Sequence, residues 1–221
     1  MEYNFNPYTS KEPKKCEKRI LKVNGKGMVE AEPDMALVSI GVITKDKNIE
    51  NAQNLNNQIS QKLINALLQL GIAKEDIKTS SYSIYPEYDY IEEKQILTGY
   101  NVTHILEVKV KDINMVGEVI DTAVKNGASQ INRVDFTIED AKNHYNRALK
   151  LALKEAASKA QSIAAFMKVN FDPVPCSITE QSTSFTPLLE QSTMKLVATA
   201  TILPGKIEIT AMIEAEFQYW N

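Results

Sequence analysis

The sequence contains few of the residues that form disulfide frameworks, metal sites and catalytic centres. Its 221 residues include two cysteines and two histidines. Cys16 and Cys176 lie near opposite ends of the chain, and two cysteines cannot supply a multi-disulfide framework or a four-ligand zinc site. We therefore expect a fold that holds together without disulfide bonds.

Long apolar runs are also missing. No run approaches the roughly 20 residues that a membrane-spanning helix needs. The first 19 residues show no uninterrupted apolar stretch and no cleavage pattern of a secretory signal. On these grounds the sequence predicts a soluble, cytoplasmic protein with no direct membrane insertion.

Neither sign of charge dominates the chain. Its 25 Lys and Arg residues stand against 28 Asp and Glu residues, which gives a formal net charge of −3. This balance gives no electrostatic reason to expect nucleic acid or an anionic membrane as the main partner. Basic residues gather between Lys11 and Lys26, as either a phosphate or lipid patch or a solvated arm. Because no aromatic residue is interleaved with them, we favour a polar arm over residues 1–19.

Hydrophobic periodicity predicts the elements of the first half of the chain. Residues 20–31 have strand character, and Gly25 and Gly27 within them suggest a bulge or a close backbone approach. Residues 36–44 alternate as a second strand, which we expect to pair with the first as a hairpin. Apolar residues then recur every three or four positions, predicting a helix that Asn48 caps and Gly71 ends.

A second pair of strands follows this helix, and further elements follow them. We expect strands at 77–90, 102–110 and 133–139, a short helix over 113–126 and a long helix over 140–167. Alanines at helical spacing predict that the long helix approaches its partner closely. They are Ala141, Ala148, Ala152, Ala156, Ala157, Ala160, Ala164 and Ala165.

The last fifty residues give a mixed signal. A strand is expected at 174–179, and residues 181–203 show no firm period, so we expect part of them to be mobile. Residues 207–219 alternate clearly as a closing strand of unusual length, which we expect to project past the sheet.

Together these elements predict an α+β fold. An antiparallel sheet is covered by two amphipathic helices and one long Ala-rich helix. We expect one main domain over residues 20–219. A smaller β-rich extension is expected around residues 80–100 and 174–219.

Several short strings follow one another in a recognisable order. They include Asn24-Gly25-Lys26-Gly27, Ala31-Glu32-Pro33-Asp34, Gly71-Ile72, Tyr85-Pro86-Glu87-Tyr88 and Pro204-Gly205-Lys206-Ile207. Their order and spacing resemble the SIMPL-domain family, also called DUF541, of bacterial envelope and periplasmic proteins. The resemblance implies an α+β fold, a capacity to self-associate and a role in stress defence or envelope maintenance, without implying a reaction. Members usually carry an N-terminal signal or anchor, from which this chain departs.

The two histidines are the first candidates for chemistry. His104 shares a strand face with Leu106 and Val108, so we interpret it as a neutral, hydrogen-bonded histidine at the edge of the core, with a ligand or base as the alternative. His144 lies in the first turn of the long helix beside Tyr145, and a surface or interface position is favoured over catalysis. Cys176, between Pro175 and Ser177, has the context of a small buried residue.

Tyrosines crowd the strand around Pro86. They could stack a flat ligand, but the neighbouring acidic residues Glu87, Asp89, Glu92 and Glu93 would repel phosphate. Cross-strand packing or a subunit interface explains the tyrosines better. We interpret the acidic cluster as a solvated hairpin tip, with a weak cation site as the alternative.

The sequence therefore favours a non-enzymatic protein that assembles into a homo-oligomer. We predict no catalytic, cofactor-binding or metal-binding residues, no cofactor and no nucleic-acid partner. The predicted oligomer interface comprises Tyr82, Tyr85, Tyr88, Tyr90, Ile213, Phe217 and Tyr219. The alternative is a small-molecule or peptide binding module of unknown ligand, which uses a groove between sheet and helix or an edge strand.

Overall fold

The computed structural model describes residues 19–91, 94–181 and 205–221. The predicted α+β class is confirmed. The elements are β1 (Ile20–Ala31), β2 (Met35–Asp46), α1 (Ile49–Gln69), β3 (Ile77–Ile91), β4 (Lys94–Val110), α2 (Val116–Lys125), β5 (Gln130–Thr137), α3 (Ala141–Met167), β6 (Asn170–Phe171), β7 (Ser177–Gln181) and β8 (Ile207–Trp220). Most of the predicted arm and of the stretch expected to be mobile lies outside the described residues.

The chain divides into two compact units. Of the described residues, unit 1 contains 19–30, 140–181 and 208–221, and unit 2 contains 31–91, 94–139 and 205–207. Each unit has its own sheet, where the sequence predicted one. Within the described part of the chain, none of the helices has an apolar stretch long enough to cross a membrane.

Unit 2 is built on a sheet with the strand order β3-β4-β2-β5. All three pairings are antiparallel. The central strand β2 buries Val38, Ile40 and Val42 completely, in one cluster with Leu63 of α1 and Val119 of α2. The two helices therefore cover one face of the sheet, as the alternation of apolar and polar residues predicted.

The predicted hairpin between the first two strands is wrong. β1 pairs with β8, whereas β2 pairs with β4 and β5. The turn before β2 is held by the end of β5 instead: the Asp34 N–H donates to the carbonyl of Thr137 at 3.2 Å, and the Asp34 carboxylate accepts the Glu139 N–H at 2.8 Å. The alternation of apolar and polar residues within a strand identifies its buried face but does not determine which strand it pairs with.

The helix ends were predicted correctly. The Asn48 side chain caps α1 by accepting the N–H groups of Glu50 at 2.7 Å and Asn51 at 3.1 Å. Gly71 follows α1 with a φ of 99°, and Gly127 follows α2 with a φ of 101°. Glycine adopts this left-handed conformation without steric cost, which explains why both helices stop there.

Unit 1 contains β8 as its central strand. β1 pairs with one edge of β8, and β6 and β7 pair with the other. This strand was expected to project in part past the main sheet; it is instead the central strand of a second sheet, and its alternate side chains from Ile207 to Phe217 are buried. Tyr145 of α3 donates its hydroxyl hydrogen bond to Glu180 of β7, and this bond raises the pKa of Tyr145 to about 12.

Helix α3 packs unusually closely on β1. A Cβ atom added at Gly27 would lie 1.9 Å from the carbonyl oxygen of Ala148, and one at Gly25 would lie 2.0 Å from that of Ala152. The close backbone approach predicted for these glycines is thus confirmed. The alanines that face the strand, Ala148, Ala152, Ala156 and Ala160, are fully buried.

Side chains of α3 also bind the backbone of β1. The Glu155 carboxylate accepts the N–H of Lys26, and the Lys159 ammonium donates to the carbonyl of Asn24 at 3.0 Å. The Lys26 N–H and the neighbouring Lys159 lower the pKa of Glu155. α3 thus supplies hydrogen bonds to a strand at the edge of its sheet.

Cys176 corrects the expectation of a fold without disulfide bonds. It is disulfide-bonded and only half-buried. The other cysteine of the sequence, Cys16, lies outside the described residues. A count of two cysteines excludes a framework of several bridges but not a single bridge.

We predict that Gly27→Ala strongly destabilises unit 1. The added methyl group would overlap the backbone of α3, and overpacking of this kind costs about 3 kcal/mol. Trp220, the single tryptophan of the chain, lies in unit 1 and reports its unfolding by fluorescence during urea titration.

Gly117→Ala is the matched control. Gly117 lies in α2, and no heavy atom lies within 4 Å of an added Cβ. Alanine in a helix is more stable than glycine by about 1 kcal/mol, so this variant should gain stability in a urea titration followed by circular dichroism. Equal urea midpoints for wild type and Gly27→Ala would contradict the close packing.

Candidate interaction surface

A two-stranded ribbon extends from the sheet of unit 2. The pairing of β2 with β4 ends at Asp46 and Tyr100, while the pairing of β3 with β4 continues to Ile91 and Lys94. Residues 87–91 and 94–99 therefore have one strand neighbour instead of two. We call them the distal ribbon.

Exposed aromatic and apolar side chains are concentrated on β3 and the distal ribbon. Tyr90 is 76% exposed and Tyr85 is 62% exposed, and neither is covered by the helices of the unit. Further exposed side chains are Tyr82, Tyr88, Ile96 and Leu97. The four tyrosines predicted as an interface thus lie on one strand with accessible rings.

β3 is the edge strand of its sheet. Several features make it a poor template for continuous strand addition. The register shifts between Thr79 and Ser81 and again between Glu87 and Tyr88, and Pro86 has no N–H to donate. Such interruptions protect sheet edges from uncontrolled pairing. A partner of this strand would therefore contact its side chains more than its backbone.

Glu87 anchors the base of the distal ribbon. Its carboxylate forms an ion pair with Lys45 of β2 and accepts the side-chain N–H of Asn101 at 3.2 Å. The Lys45 ammonium holds the pKa of Glu87 below its ordinary value. The Thr98 hydroxyl donates to the backbone carbonyl of Glu87 at 3.0 Å. These contacts fix where the ribbon leaves the sheet.

The other predicted interface residues lie in unit 1. Ile213 is 0% exposed and Phe217 is 1% exposed, and the Phe217 ring packs edge-on against Phe171 with 6.1 Å between ring centroids. Tyr219 is half-buried. Ile213 and Phe217 face the interior of their own unit, so only the tyrosines of β3, together with half-buried Tyr219, are accessible among the predicted interface residues.

His104 is half-buried at the edge of the core and hydrogen-bonded through both ring nitrogens, in the position that the sequence predicted. Its Nδ1 lies 3.0 Å from the Ser60 hydroxyl and its Nε2 lies 2.9 Å from the Thr79 hydroxyl. Burial lowers its pKa. The Tyr82 ring packs edge-on against the imidazole at 5.3 Å between centroids.

Asn56 and Ser60 extend this hydrogen-bond network into the core, although neither was predicted from the sequence. The Ser60 hydroxyl donates to Asn56 Oδ1 at 3.3 Å, and Asn56 Nδ2 donates to the carbonyls of Val42 at 3.0 Å and Val102 at 3.2 Å. The two residues are four positions apart on the inner face of α1. The sequence offered one signal for them: two polar residues at a spacing that places them on the buried face of an amphipathic helix.

Ser60 and His104 have the contacts of a nucleophile and its base, but the Ser60 hydroxyl is buried in the core. Ser60 is 4% exposed, and its hydroxyl donates to Asn56 instead of pointing to solvent. The network joins α1 to β2, β3 and β4.

His144 is half-buried in the first turn of α3, and its Nδ1 has no hydrogen-bond partner among the described residues. In the described part of the chain, no three His, Cys, Asp or Glu side chains are grouped to hold a metal ion.

Two open depressions bear on the ligand-binding alternative. One, of about 710 Å³, lies along α1 and beside Asn126, and its lining is rich in Asn and Gln. The other, of about 380 Å³, lies between β1 and α3 and is lined by Val23, Asn24, Ser158, Lys159, Ser162 and Ile163. The second matches the groove between sheet and helix that the sequence analysis envisaged.

We predict that His104 makes the protein less stable at acidic pH. Its pKa in the folded protein lies below the ordinary 6.5, so the unfolded chain binds the proton more readily. Its contribution is fully present above pH 6.5 and decreases as the pH falls below that value. His104→Gln should flatten the dependence of the unfolding free energy on pH between about pH 5 and 7.

An NMR titration of the imidazole of His104 in the wild-type protein tests the same point without a substitution. A midpoint at or above 6.5 would show that burial does not govern this histidine.

Comparison with known proteins gives a consistent result. A family model described as SIMPL, a protein of unknown function (DUF541), matches residues 21–217. A 26 kDa periplasmic immunogenic protein of Brucella melitensis is 32% identical over 147 residues, which are 64% of this chain and 59% of that protein. The uncharacterized protein YggE of Escherichia coli K12 is 28% identical over 151 residues, which are 68% of this chain and 61% of YggE. The matches thus span about three fifths of the length of these relatives.

Proposed function

The chain belongs to the SIMPL family of proteins of unknown function, which confirms the resemblance seen in the sequence. We propose that it is a non-catalytic protein that assembles with copies of itself. The tyrosines of β3 and the distal ribbon form the contact surface. The observation that carries this proposal is the exposure of Tyr85 and Tyr90 on an edge strand that continues beyond its sheet.

The edge strands of the two sheets differ in whether a helix donates or accepts hydrogen bonds at their backbone, and this contrast supports the proposed contact surface on β3. In unit 1, the edge strand β1 receives side-chain hydrogen bonds from Glu155 and Lys159. In unit 2, no helix of the described chain contributes such bonds to the backbone of Tyr82–Tyr90. A second copy of the chain is the partner that would cover this edge.

Tyrosine is well suited to such a contact. Its ring contributes a large apolar area and its hydroxyl keeps a hydrogen-bonding group, which is why tyrosine is enriched at protein interfaces and in binding hot spots. Ile96 and Leu97 add apolar area beside the rings. The interrupted register and Pro86 limit assembly to side-chain docking and disfavour open-ended strand addition.

We further propose an envelope location in place of the cytoplasmic one predicted from the sequence. One relative is named as a periplasmic protein. Cys176 is disulfide-bonded, and disulfide bonds persist in oxidising compartments such as the periplasm. A role in envelope maintenance fits this location. Stress defence has no support in particular residues and stays a prediction from the family resemblance.

The second candidate function is ligand binding in the groove between β1 and α3. Its polar lining groups are Asn24, Ser158, Lys159 and Ser162. A ligand bound there would raise the melting temperature of unit 1. A metabolite and peptide screen monitored by Trp220 fluorescence tests this candidate independently of assembly.

We predict that the double variant Tyr85→Ser/Tyr90→Ser lowers the solution mass. The wild-type protein should have a mass that is a multiple of 24.8 kDa at micromolar concentration, and the variant should shift to 24.8 kDa. Replacing tyrosine by serine removes the buried ring contacts of the interface while leaving the core of unit 2 intact. Multi-angle light scattering measures the mass.

Leu55→Ser is the matched control. Leu55 is an apolar residue of α1 that is 45% exposed and lies away from β3 in the sequence. This variant should keep the wild-type mass, and circular dichroism should show both variants folded. A wild-type mass of 24.8 kDa at micromolar concentration would refute assembly.

We predict that Cys176 resists alkylation in protein isolated from an oxidising compartment. Mass spectrometry after iodoacetamide treatment should find it modified only when a reductant was added first. The reductant should also lower the melting temperature, because a disulfide bond stabilises a fold by about 2–4 kcal/mol. Modification of Cys176 without reductant would contradict the disulfide bond and would remove its support for the proposed envelope location.

A further inference from the structure

Exposed apolar side chains gather at one end of unit 1. Phe166 is 89% exposed, an unusual value for a phenylalanine in a helix, and Trp220 is 48% exposed. We define the apolar tip as Ile20, Ile163, Phe166, Met167 and Trp220. The other three side chains of the tip are between 36% and 47% exposed.

The fold of unit 1 brings these residues to the same end. β1 begins beside the end of β8, since the Tyr219 N–H donates to the carbonyl of Arg19 at 3.0 Å. Trp220 pairs with Asn170 of β6, and only Lys168 and Val169 separate β6 from the last residue of α3. The start of one strand, the end of another and the last turn of the helix thus converge.

The charged side chains in the described segments of the tip are all positive. Its segments, residues 19–21, 163–171 and 219–221, contain Arg19 and Lys168 and no acidic side chain. Among the described residues, the acidic side chains nearest to the helix and β8 segments have partners: Asp172 accepts the N–H of Val174 at 3.0 Å, and Glu216 forms an ion pair with Lys22 at 3.3 Å. A chain with a formal net charge of −3 therefore presents a cationic, aromatic end.

The apolar side chains of the tip lie on both sides of the sheet. Phe217 faces α3, so by alternation Trp220 lies on the opposite face of β8, while Phe166 and Met167 belong to the helix. A protein groove would contact one side of this end. Immersion of the whole end in a layer of lipid headgroups and upper acyl chains would cover both sides at once.

We propose that the apolar tip docks on the surface of a membrane that contains anionic lipids. Phe166, Met167 and Trp220 enter the boundary between headgroups and acyl chains, where tryptophan is favoured because its ring is amphipathic. Arg19 and Lys168 bind the lipid phosphates. The docking is peripheral, and no helix of the described chain is long and apolar enough to span the bilayer.

The single tryptophan makes the test specific, because Trp220 itself belongs to the tip. The full-length protein is mixed with vesicles of phosphatidylcholine alone or of phosphatidylcholine with phosphatidylglycerol. With the anionic vesicles, the Trp220 emission should shift to shorter wavelength, brominated acyl chains should quench it, and the protein should sediment with the vesicles. Neutral vesicles should bind several-fold more weakly.

Two variants leave the tryptophan in place and separate the apolar and electrostatic contributions. Phe166→Ser should weaken binding to the anionic vesicles about tenfold, since it removes a phenyl ring from the bilayer boundary. Lys168→Glu should weaken it by more than fivefold and abolish the preference for anionic lipid. Leu151→Ser, at a 44% exposed position in the middle of α3, is the control and should bind like the wild type.

Three results would overturn the proposal. The first is equal binding to neutral and anionic vesicles, and the second is an unchanged affinity of Phe166→Ser. The third is a shift of the Trp220 emission that follows protein concentration without vesicles, because a second copy would then cover the tip. The Tyr85→Ser/Tyr90→Ser variant should bind vesicles as the wild type does, so this proposal and self-assembly fail independently.

Discussion

A β-sheet leaves unpaired N–H and C=O groups along its edges, and the way these groups are satisfied governs the whole structure of this chain. In unit 1, Gly25 and Gly27 allow α3 to approach β1 until Glu155 and Lys159 reach its backbone. The alanine stripe of α3 serves the same approach. In unit 2 the edge strand β3 carries bulges, a proline and tyrosines instead, so its surface remains open to a partner.

The sequence predicted the elements well and their neighbours poorly. Helix ends follow from local chemistry, because a cap such as Asn48 or a left-handed glycine such as Gly71 acts within a few residues. Strand partners follow from contacts between distant segments. β1 and β2 are separated by a short turn that is typical of a hairpin, yet Asp34 binds the end of β5 and the two strands enter different sheets.

In the candidate site too, local sequence predicted some features, and contacts between distant segments decided the others. The tyrosines of β3 were predictable as exposed because Pro86 and acidic neighbours interrupt their strand. Ile213 and Phe217 have the same alternating pattern as an exposed strand face, but β1, β6 and β7 flank their strand and α3 covers it. Asn56 and Ser60 were missed for the opposite reason: they are polar residues buried on the inner face of a helix, where the carbonyls of β2 and β4 and the imidazole of His104 satisfy their hydrogen bonds.

Averages over the chain conceal the charge of its parts. A formal net charge of −3 argued against an anionic membrane as the main partner, and that argument holds for attraction between whole molecules at distances beyond a Debye length of about 8–10 Å. At contact, the charges within that distance decide the interaction. Arg19 and Lys168 come from segments far apart in the sequence, and neither belongs to a cationic cluster that the sequence alone would place at this end. The pairing of β1 with β8 and the turn after α3 bring them to the same end of unit 1 as Trp220 and Phe166. Within the described residues, a lipid surface that approaches this end of unit 1 therefore meets segments that carry two cationic side chains, two exposed aromatic rings and no acidic side chain.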